Sequence, residues 1–429
     1  VFKFNEFSDM CIKCGKCIPG CTIHRVNPDE ATSPRGFLDL LKGVEEGDIP
    51  LDKNAKDIFE SCFLCNQCVE ICPNSLPTDF MIENIRAEIA KKYGIAWWKR
   101  AFFYLLKHRW AYDLVSKLGF YFQTCGFKIE EEKKAMRSRF SLPMLHKGRL
   151  LPYFRQKTFL KKYPQRIEAK NPQKRVAIFI GCMANYNYTE VGDALIKVLK
   201  FLDIDIFIPK KQLCCGAPAY FTGDFKTVRE LVEYNITYFE SFIDEVDAII
   251  VPEATCTAML KKDYEEFITY HMPEWLERHK KIKSKIFGTT EWLYKYTDLK
   301  ERLANLPRQK ERITYHDACH FGKVFNIRKE PRSLITQNYQ INEMEDPDMC
   351  CGFGGITIQS EKFHLARKEG LIKAEMIKKV DAEIVSAECS ACRMQITEHL
   401  DKVGDNKKFM HPLELIAKAI DSIENRENG

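Results

Sequence analysis

Seventeen of the eighteen cysteines in this chain fall into four spaced sets, and no other feature constrains its fold as strongly. Two sets run Cys11-x2-Cys14-x2-Cys17-x3-Cys21 and Cys62-x2-Cys65-x2-Cys68-x3-Cys72-Pro73. The other two are built on a vicinal pair: Cys182…Cys214-Cys215-Gly216…Cys256, and Cys319…Cys350-Cys351-Gly352…Cys389-x2-Cys392. A chain of 429 residues can bury a proper apolar core, so it does not need disulfides as staples. Val1–Met10 lacks the apolar run of a secretory signal, and secretion is not expected. In a reducing compartment, clustered thiols read as metal ligands or redox groups.

The first two sets have the ferredoxin spacing. Three thiolates at Cys-x2-Cys-x2-Cys wrap one corner of a cubane, and the trailing cysteine serves the other cluster in two-cluster ferredoxins. Cys11, Cys14, Cys17 and Cys72 are therefore expected to hold one [4Fe–4S] cluster, and Cys62, Cys65, Cys68 and Cys21 a second. Pro73 fits the usual proline after the fourth cysteine; Thr22 departs from it. Structural zinc is the alternative, but zinc favours two Cys-x2-Cys pairs per ion rather than a triplet with a trailing fourth.

The second vicinal set supplies five thiolates, Cys319, Cys350, Cys351, Cys389 and Cys392, where a cubane needs four. Either one is spare, or adjacent cysteines bind different irons of an expanded cluster; zinc with a spare thiol is the alternative. Gly216 and Gly352, directly after the vicinal pairs, are candidate cofactor contacts, because glycine lets backbone N–H groups approach sulfide. Gly354 and Gly355 extend that glycine-rich stretch. The first vicinal set holds Cys182, Cys214, Cys215 and Cys256, with Met259 where a fifth cysteine would stand. Four thiolates suffice for zinc or for iron–sulfur, and a metal-free remnant remains open. Cys125 belongs to no set. His316 and His320 flank Cys319 and read either as structural histidines or as groups that tune a cluster by hydrogen bonds.

From residue 174 the chain repeats itself: RVAIFIGC at 175–182 matches RITYHDAC at 312–319, and LCCGAPAYF at 213–221 matches MCCGFGGIT at 349–357. A duplicated module is the simplest account. Short β-branched runs alternate with helical patterns, which predicts parallel sheets whose carboxyl ends gather distant cysteines. The expected fold is α+β: a helical two-cluster ferredoxin domain over 1–90, basic aromatic linker helices over 91–173, and two α/β modules with short parallel sheets over 174–309 and 310–429. Lys91–Lys174 carries 21 Lys/Arg against 5 Asp/Glu, a net of +16 in a chain whose total is +6. Helices are predicted at 96–107 and 110–122. On the first, Lys99, Arg100 and Lys107 share one face, largely opposite Trp97, Trp98, Phe102 and Leu105. Such a strip could meet an anionic membrane, with Trp97, Trp98, Phe102, Phe103 and Trp110 in the interface, dock a partner subunit, or be an ordinary helical bridge. No nucleic-acid motif accompanies the charge, and nucleic acid is not an expected partner. Neither G-x-G-x-x-G nor a Walker A loop is present, so electrons are expected from another polypeptide.

Together these residues resemble the iron–sulfur subunits of flavin-linked dehydrogenases that carry paired cysteine-rich (CCG) domains, of the anaerobic glycerol-3-phosphate dehydrogenase and glycolate or lactate dehydrogenase kinds. The likeness lies in the ferredoxin sets, GCMANYN at 181–187, LIKVL at 195–199, LCCGAP at 213–218, ATCTAML at 254–260, CSACRMQI at 389–396 and HPLELIAKAI at 411–420. It implies an oxidoreductase subunit without a catalytic residue of its own. A partner flavoprotein oxidises the substrate, and electrons pass toward membrane quinone. With neither a secretory signal nor 18 uncharged apolar residues in a row, the expected location is cytoplasmic, peripheral on the cytoplasmic face of the inner membrane. The competing reading is a polypeptide of the heterodisulfide-reductase type that cleaves a substrate S–S bond; Met259 argues against it.

Overall fold

The computed structural model describes residues 2–141 and 147–427. Its N-terminal part is helical, and two of its helices carry their own start signals. Ser33 caps Pro34–Glu46, its hydroxyl accepting from Gly36 N at 3.0 Å, and Asp52 caps Lys53–Glu60 through Ala55 N at 2.9 Å. The apolar faces of these helices close on Thr78–Tyr93, burying Phe37, Leu41, Phe59, Phe80 and Met81. The cysteine triplets lie in the loops around this core, except for Cys68 on the short helix Gln67–Ile71.

The middle of the chain is more structured than its composition predicts. Helices Trp97–Lys107 and Arg109–Gly126 are followed by an antiparallel sheet of β1 (Phe127–Glu130), β2 (Ala135–Ser138) and β3 (Leu150–Leu151). Within the charged run EEEKKAMRSR at 130–139, inside the stretch expected as linker helices, Lys134, with φ 48°, turns the chain so that Ala135 and Met136 are buried. The basic face predicted for the first helix is also corrected. Lys99 is buried, its Nζ 2.6 Å from Glu361 and 3.0 Å from the Thr357 hydroxyl, and Phe103 lies in the core rather than at the surface. Of the charged face that periodicity identifies, the second α/β module covers Lys99, Lys107 pairs with Glu230 of the first at 2.6 Å, and Arg100 stays exposed.

Two parallel sheets follow. The first has β5 (Arg175–Ile178) at its centre, flanked by β6 (Asp205–Phe207) and β7 (Ala248–Val251), with β8 (Ile286–Gly288) beyond β7. A short β4 (Arg166–Ile167) adds to β6 antiparallel. The second has β9 (Arg312–Tyr315) at its centre between β10 (Gln340–Ile341) and β11 (Ile384–Ser386), with β12 (Lys408–Met410) outside β11. Taken in chain order, the two sheets share one strand order, as a duplicated module requires. Across their boundary, Ala254 N donates to Glu388 O at 3.0 Å and Ser390 N to a Glu253 carboxylate oxygen at 2.8 Å. Helix Pro412–Glu427 of the second module packs on Thr189–Phe201 of the first through Leu195, Leu199, Leu413 and Ile416. Among the described residues no helix is long and apolar enough to cross a membrane.

Candidate metal centres

Each ferredoxin triplet bends through two residues with positive φ at matching positions: Lys13 and Gly15 in the first, Leu64 and Asn66 in the second. These turns fold each triplet around a pocket. Cys11, Cys14 and Cys17 line one pocket together with Cys72. Cys62, Cys65 and Cys68 line the other together with Cys21. Each trailing cysteine has thus crossed to the opposite triplet. Burial pushes the Cys62 thiol up to about 12, and burial with neighbouring thiols raises Cys17, Cys21 and Cys68. Such thiols become ligands only when a cation offsets their charge, and the donor set suits iron or another thiophilic metal. Thr22 fills the place of the missing proline, its hydroxyl 3.3 Å from Cys65 Sγ.

The sheets gather the vicinal sets at the carboxyl ends of their strands. In the second module Cys351 and Cys392 Sγ are 3.4 Å apart, Cys392 N donates to Cys389 Sγ at 3.4 Å, and Gly352 N donates to Cys350 Sγ at 3.3 Å. Cys319 faces Cys350, and Lys323 Nζ lies 3.9 Å from Cys319 Sγ. All five thiols are brought together. Gly352, with φ 85°, tolerates no side chain, since a Cβ there would meet the Gly370 backbone at 3.0 Å. His316 joins this group: one ring nitrogen lies with Cys351 and Cys392 Sγ inside 4.8 Å. Its Nδ1 faces Pro347 O at 3.1 Å, while its buried Nε2 has no partner. His320 is different. It stacks on Phe221 at 5.9 Å, pairs with the Thr255 hydroxyl at 3.2 Å, and burial holds its ring neutral, down to about 4.

In the first module Cys215 and Cys256 Sγ lie 3.5 Å apart, Gly216 N donates to Cys214 Sγ at 3.4 Å, and Cys182 faces Cys214. Met259 is fully buried beside them, its methyl 3.7 Å from where a Gly216 Cβ would sit. Phe179, also fully buried, stands where the second module has His316. Two donors of the second site are therefore apolar in the first. Cys125 is exposed on helix Arg109–Gly126, apart from every set.

One relationship had no signal in the sequence. Cys65 of the second ferredoxin pocket lies near enough to Cys350 for each thiol to shift the other's ionisation, and Lys323 acts on Cys65, Cys319 and Cys350 together. The two modules also meet, through the Thr255 hydroxyl 3.9 Å from Cys389 Sγ. The thiol sites form a connected series.

Residues 7–76 match the 4Fe-4S dicluster domain, and residues 176–261 and 313–397 match the cysteine-rich domain, CCG. The chain belongs to the iron–sulfur proteins that join a two-cluster ferredoxin domain to paired CCG domains. Among its relatives is the probable glycolate oxidase iron-sulfur subunit of Bacillus subtilis, 29% identical over 95% of this chain and 93% of that protein. One subunit of the fumarate reductase (CoM/CoB) of Methanothermobacter marburgensis is 29% identical over 95% of this chain and 72% of that protein. Lactate utilization protein A of Geobacillus thermodenitrificans is 29% identical over 56% of this chain and 98% of that protein. The crystal structure of a hypothetical protein from Helicobacter pylori shares the fold over 97% of this chain and 75% of that one, at a TM-score of 0.53 and 12% identity.

Proposed function

We propose that this CCG protein is the electron-transfer subunit of a flavin-dependent dehydrogenase of the glycolate, lactate or glycerol-3-phosphate class, passing electrons toward membrane quinone. The observation that carries the reading is the nearness of Cys65 to Cys350 and to Lys323, whose Nζ lies 3.9 Å from Cys319 Sγ, which brings a ferredoxin pocket up to the five-thiol set of the second module. The proposed division of the chain is 1–90, 91–173, 174–309 and 310–429. In this reading Cys11, Cys14, Cys17 and Cys72 hold one [4Fe–4S] cluster, and Cys21, Cys62, Cys65 and Cys68 another. Cys319, Cys350, Cys351, Cys389 and Cys392 hold a further iron–sulfur cluster, with Gly352 N–H directed at its sulfur ligands. Cys182, Cys214, Cys215 and Cys256 hold zinc or iron–sulfur. Bound there, such clusters supply one-electron transfer. The chain supplies thiolates, the Thr22 hydroxyl at Cys65 and the Lys323 ammonium that offsets thiolate charge.

Exposed apolar side chains support peripheral attachment to the cytoplasmic face of the inner membrane. Trp110, Leu114, Leu118, Tyr121 and Phe122 follow helical spacing along Arg109–Gly126 and are exposed, as is Trp97 on the preceding helix. Lys117, exposed on the same helix, and Lys128, exposed on the strand that follows it, add positive charge of the kind that draws an interfacial helix to an anionic surface. The test is to recover the chain with its flavoprotein partner under anaerobic conditions and add each hydroxy acid or glycerol 3-phosphate. Bleaching of the visible iron–sulfur absorbance by one of them is expected. The relative named as a fumarate reductase (CoM/CoB) subunit keeps open a second reading, a heterodisulfide-reductase-type subunit that acts on a disulfide. Turnover of a disulfide by the isolated chain would establish that reading over the first. Met259 and Phe179, which remove two donors from the first site, weigh against it.

A further inference from the structure

A buried carboxyl cluster lies where helix Thr78–Tyr93 packs on the π-helical turn Met259–Asp263 and the helix after it. Asp79, Glu83 and Asp263 are 5%, 2% and 4% exposed, and Glu266 leads from them to the surface. A single ammonium pairs with three of the four, and Glu83 has no ion pair with it. Lys262 Nζ lies 2.6 Å from Asp79, 3.0 Å from Glu266 and 3.8 Å from Asp263. Nor are the oxygens satisfied: Asp79 Oδ1, Glu83 Oε2 and Asp263 Oδ2 have no hydrogen-bond partner. Tyr220, fully buried, turns an equally unpartnered hydroxyl toward Glu83.

The remaining charged groups around the cluster do not neutralise it. Arg86, one turn along the helix from Glu83, spends its guanidinium on the carbonyls of Phe59, Cys62 and Phe221. His320, facing Asp79 and Lys262 from the second module, is neutral at physiological pH. Three buried carboxylates and the half-buried Glu266 against one ammonium would leave uncompensated charge in a medium that penalises it heavily. The cluster must therefore hold protons. Accordingly, burial pushes Asp263 up to about 6 and raises Glu83 well above the carboxyl range.

Its position gives these protons a use. Asp79 lines the same pocket as Cys21, Cys62, Cys65 and Cys68, and its charge raises the thiols of Cys62 and Cys68. We propose that Glu83, together with Asp263, takes up one solvent proton when an electron arrives in this pocket and releases it when the electron leaves. The inference rests on the iron–sulfur reading of the pocket. One electron enters from a reduced flavin, or from dithionite in vitro, and one proton enters by way of Glu266. The only bond formed is a carboxyl O–H, and it breaks again when the electron departs.

The test is a redox titration of the full, anaerobically reconstituted chain, followed by EPR between about pH 6 and 9, with Cys14→Ser identifying the signal of the other ferredoxin pocket. In the native chain the midpoint of this pocket should fall by up to about 59 mV for each tenfold drop in proton activity, the slope of a one-proton, one-electron couple. Glu83→Gln, nearly the same shape, should flatten the slope, and Asp263→Asn serves as an independent second variant. A native midpoint that ignores pH, or an unchanged slope in a loaded variant, overturns the proton proposal while leaving the cluster reading intact. Complete absence of a reduced-state signal overturns the cluster reading itself.

Discussion

Replacing Arg86 with Met tests how the ferredoxin region is fastened to the first CCG domain. The Arg86 side chain is buried, and its guanidinium donates to Phe59 O at 3.3 and 3.1 Å, to Cys62 O at 2.7 Å and to Phe221 O at 2.9 Å. It thus ties the first residue of a cysteine triplet to the segment that follows the vicinal pair of the other domain. Methionine keeps much of the volume and supplies no donor. Three carbonyls lose their partner, at about 1–3 kcal/mol each, while relief from burying a guanidinium offsets part of that. A net loss of about 3 kcal/mol is the expectation. With a urea slope of about 2 kcal/mol/M, the midpoint for loss of the visible cluster absorbance should fall by about 1.5 M. A fall smaller than about 0.3 M would refute the claim that this side chain carries the junction.

Gly223→Ala should loosen the same junction, because Gly223 has φ +86° and a Cβ there would lie 2.4 Å from the Arg86 backbone; faster limited proteolysis between the two regions is the readout. His316→Phe makes the second site resemble the first, and should shift or abolish one EPR signal while leaving both ferredoxin signals in place. Burial opposes ionisation of Glu190, yet Arg393, Lys134 and Arg155 hold it down at about 2. Its folded value lies below its unfolded one, so its contribution is full above about pH 4.5 and is lost as the pH falls toward 2. Glu190→Gln should therefore destabilise the protein at pH 7 and flatten the acid limb of its stability profile, measured by denaturant midpoints. Trp110→Glu combined with Phe122→Glu should reduce flotation with anionic vesicles at least several-fold; unchanged flotation would remove the membrane proposal.

The cysteine sets were legible because ligand spacing is a local property, and the crossing of Cys21 and Cys72 follows from how a triplet leaves its fourth corner open. The duplication was legible too, since matching runs such as RVAIFIGC and RITYHDAC place equivalent strands in register. What escaped was tertiary. Lys99 has the spacing of a solvated lysine, and only the packing of the second module around Thr357 and Glu361 makes it a buried one. The β1–β2 hairpin depends on Lys134 accepting a left-handed backbone, a conformation that lysine does not advertise. The approach of Cys65 to Cys350 joins residues 285 positions apart in sequence, and no pattern within either set encodes it.

The most direct test of the account is the iron, sulfide and zinc content of the chain purified without oxygen, read with its EPR spectrum after dithionite. Two ferredoxin clusters and a third in the second CCG domain predict about twelve irons per chain, with more if the first domain also holds iron. About eight irons would confine electron transfer to the ferredoxin pockets. Zinc alone, with no reduced-state signal, would contradict the account outright.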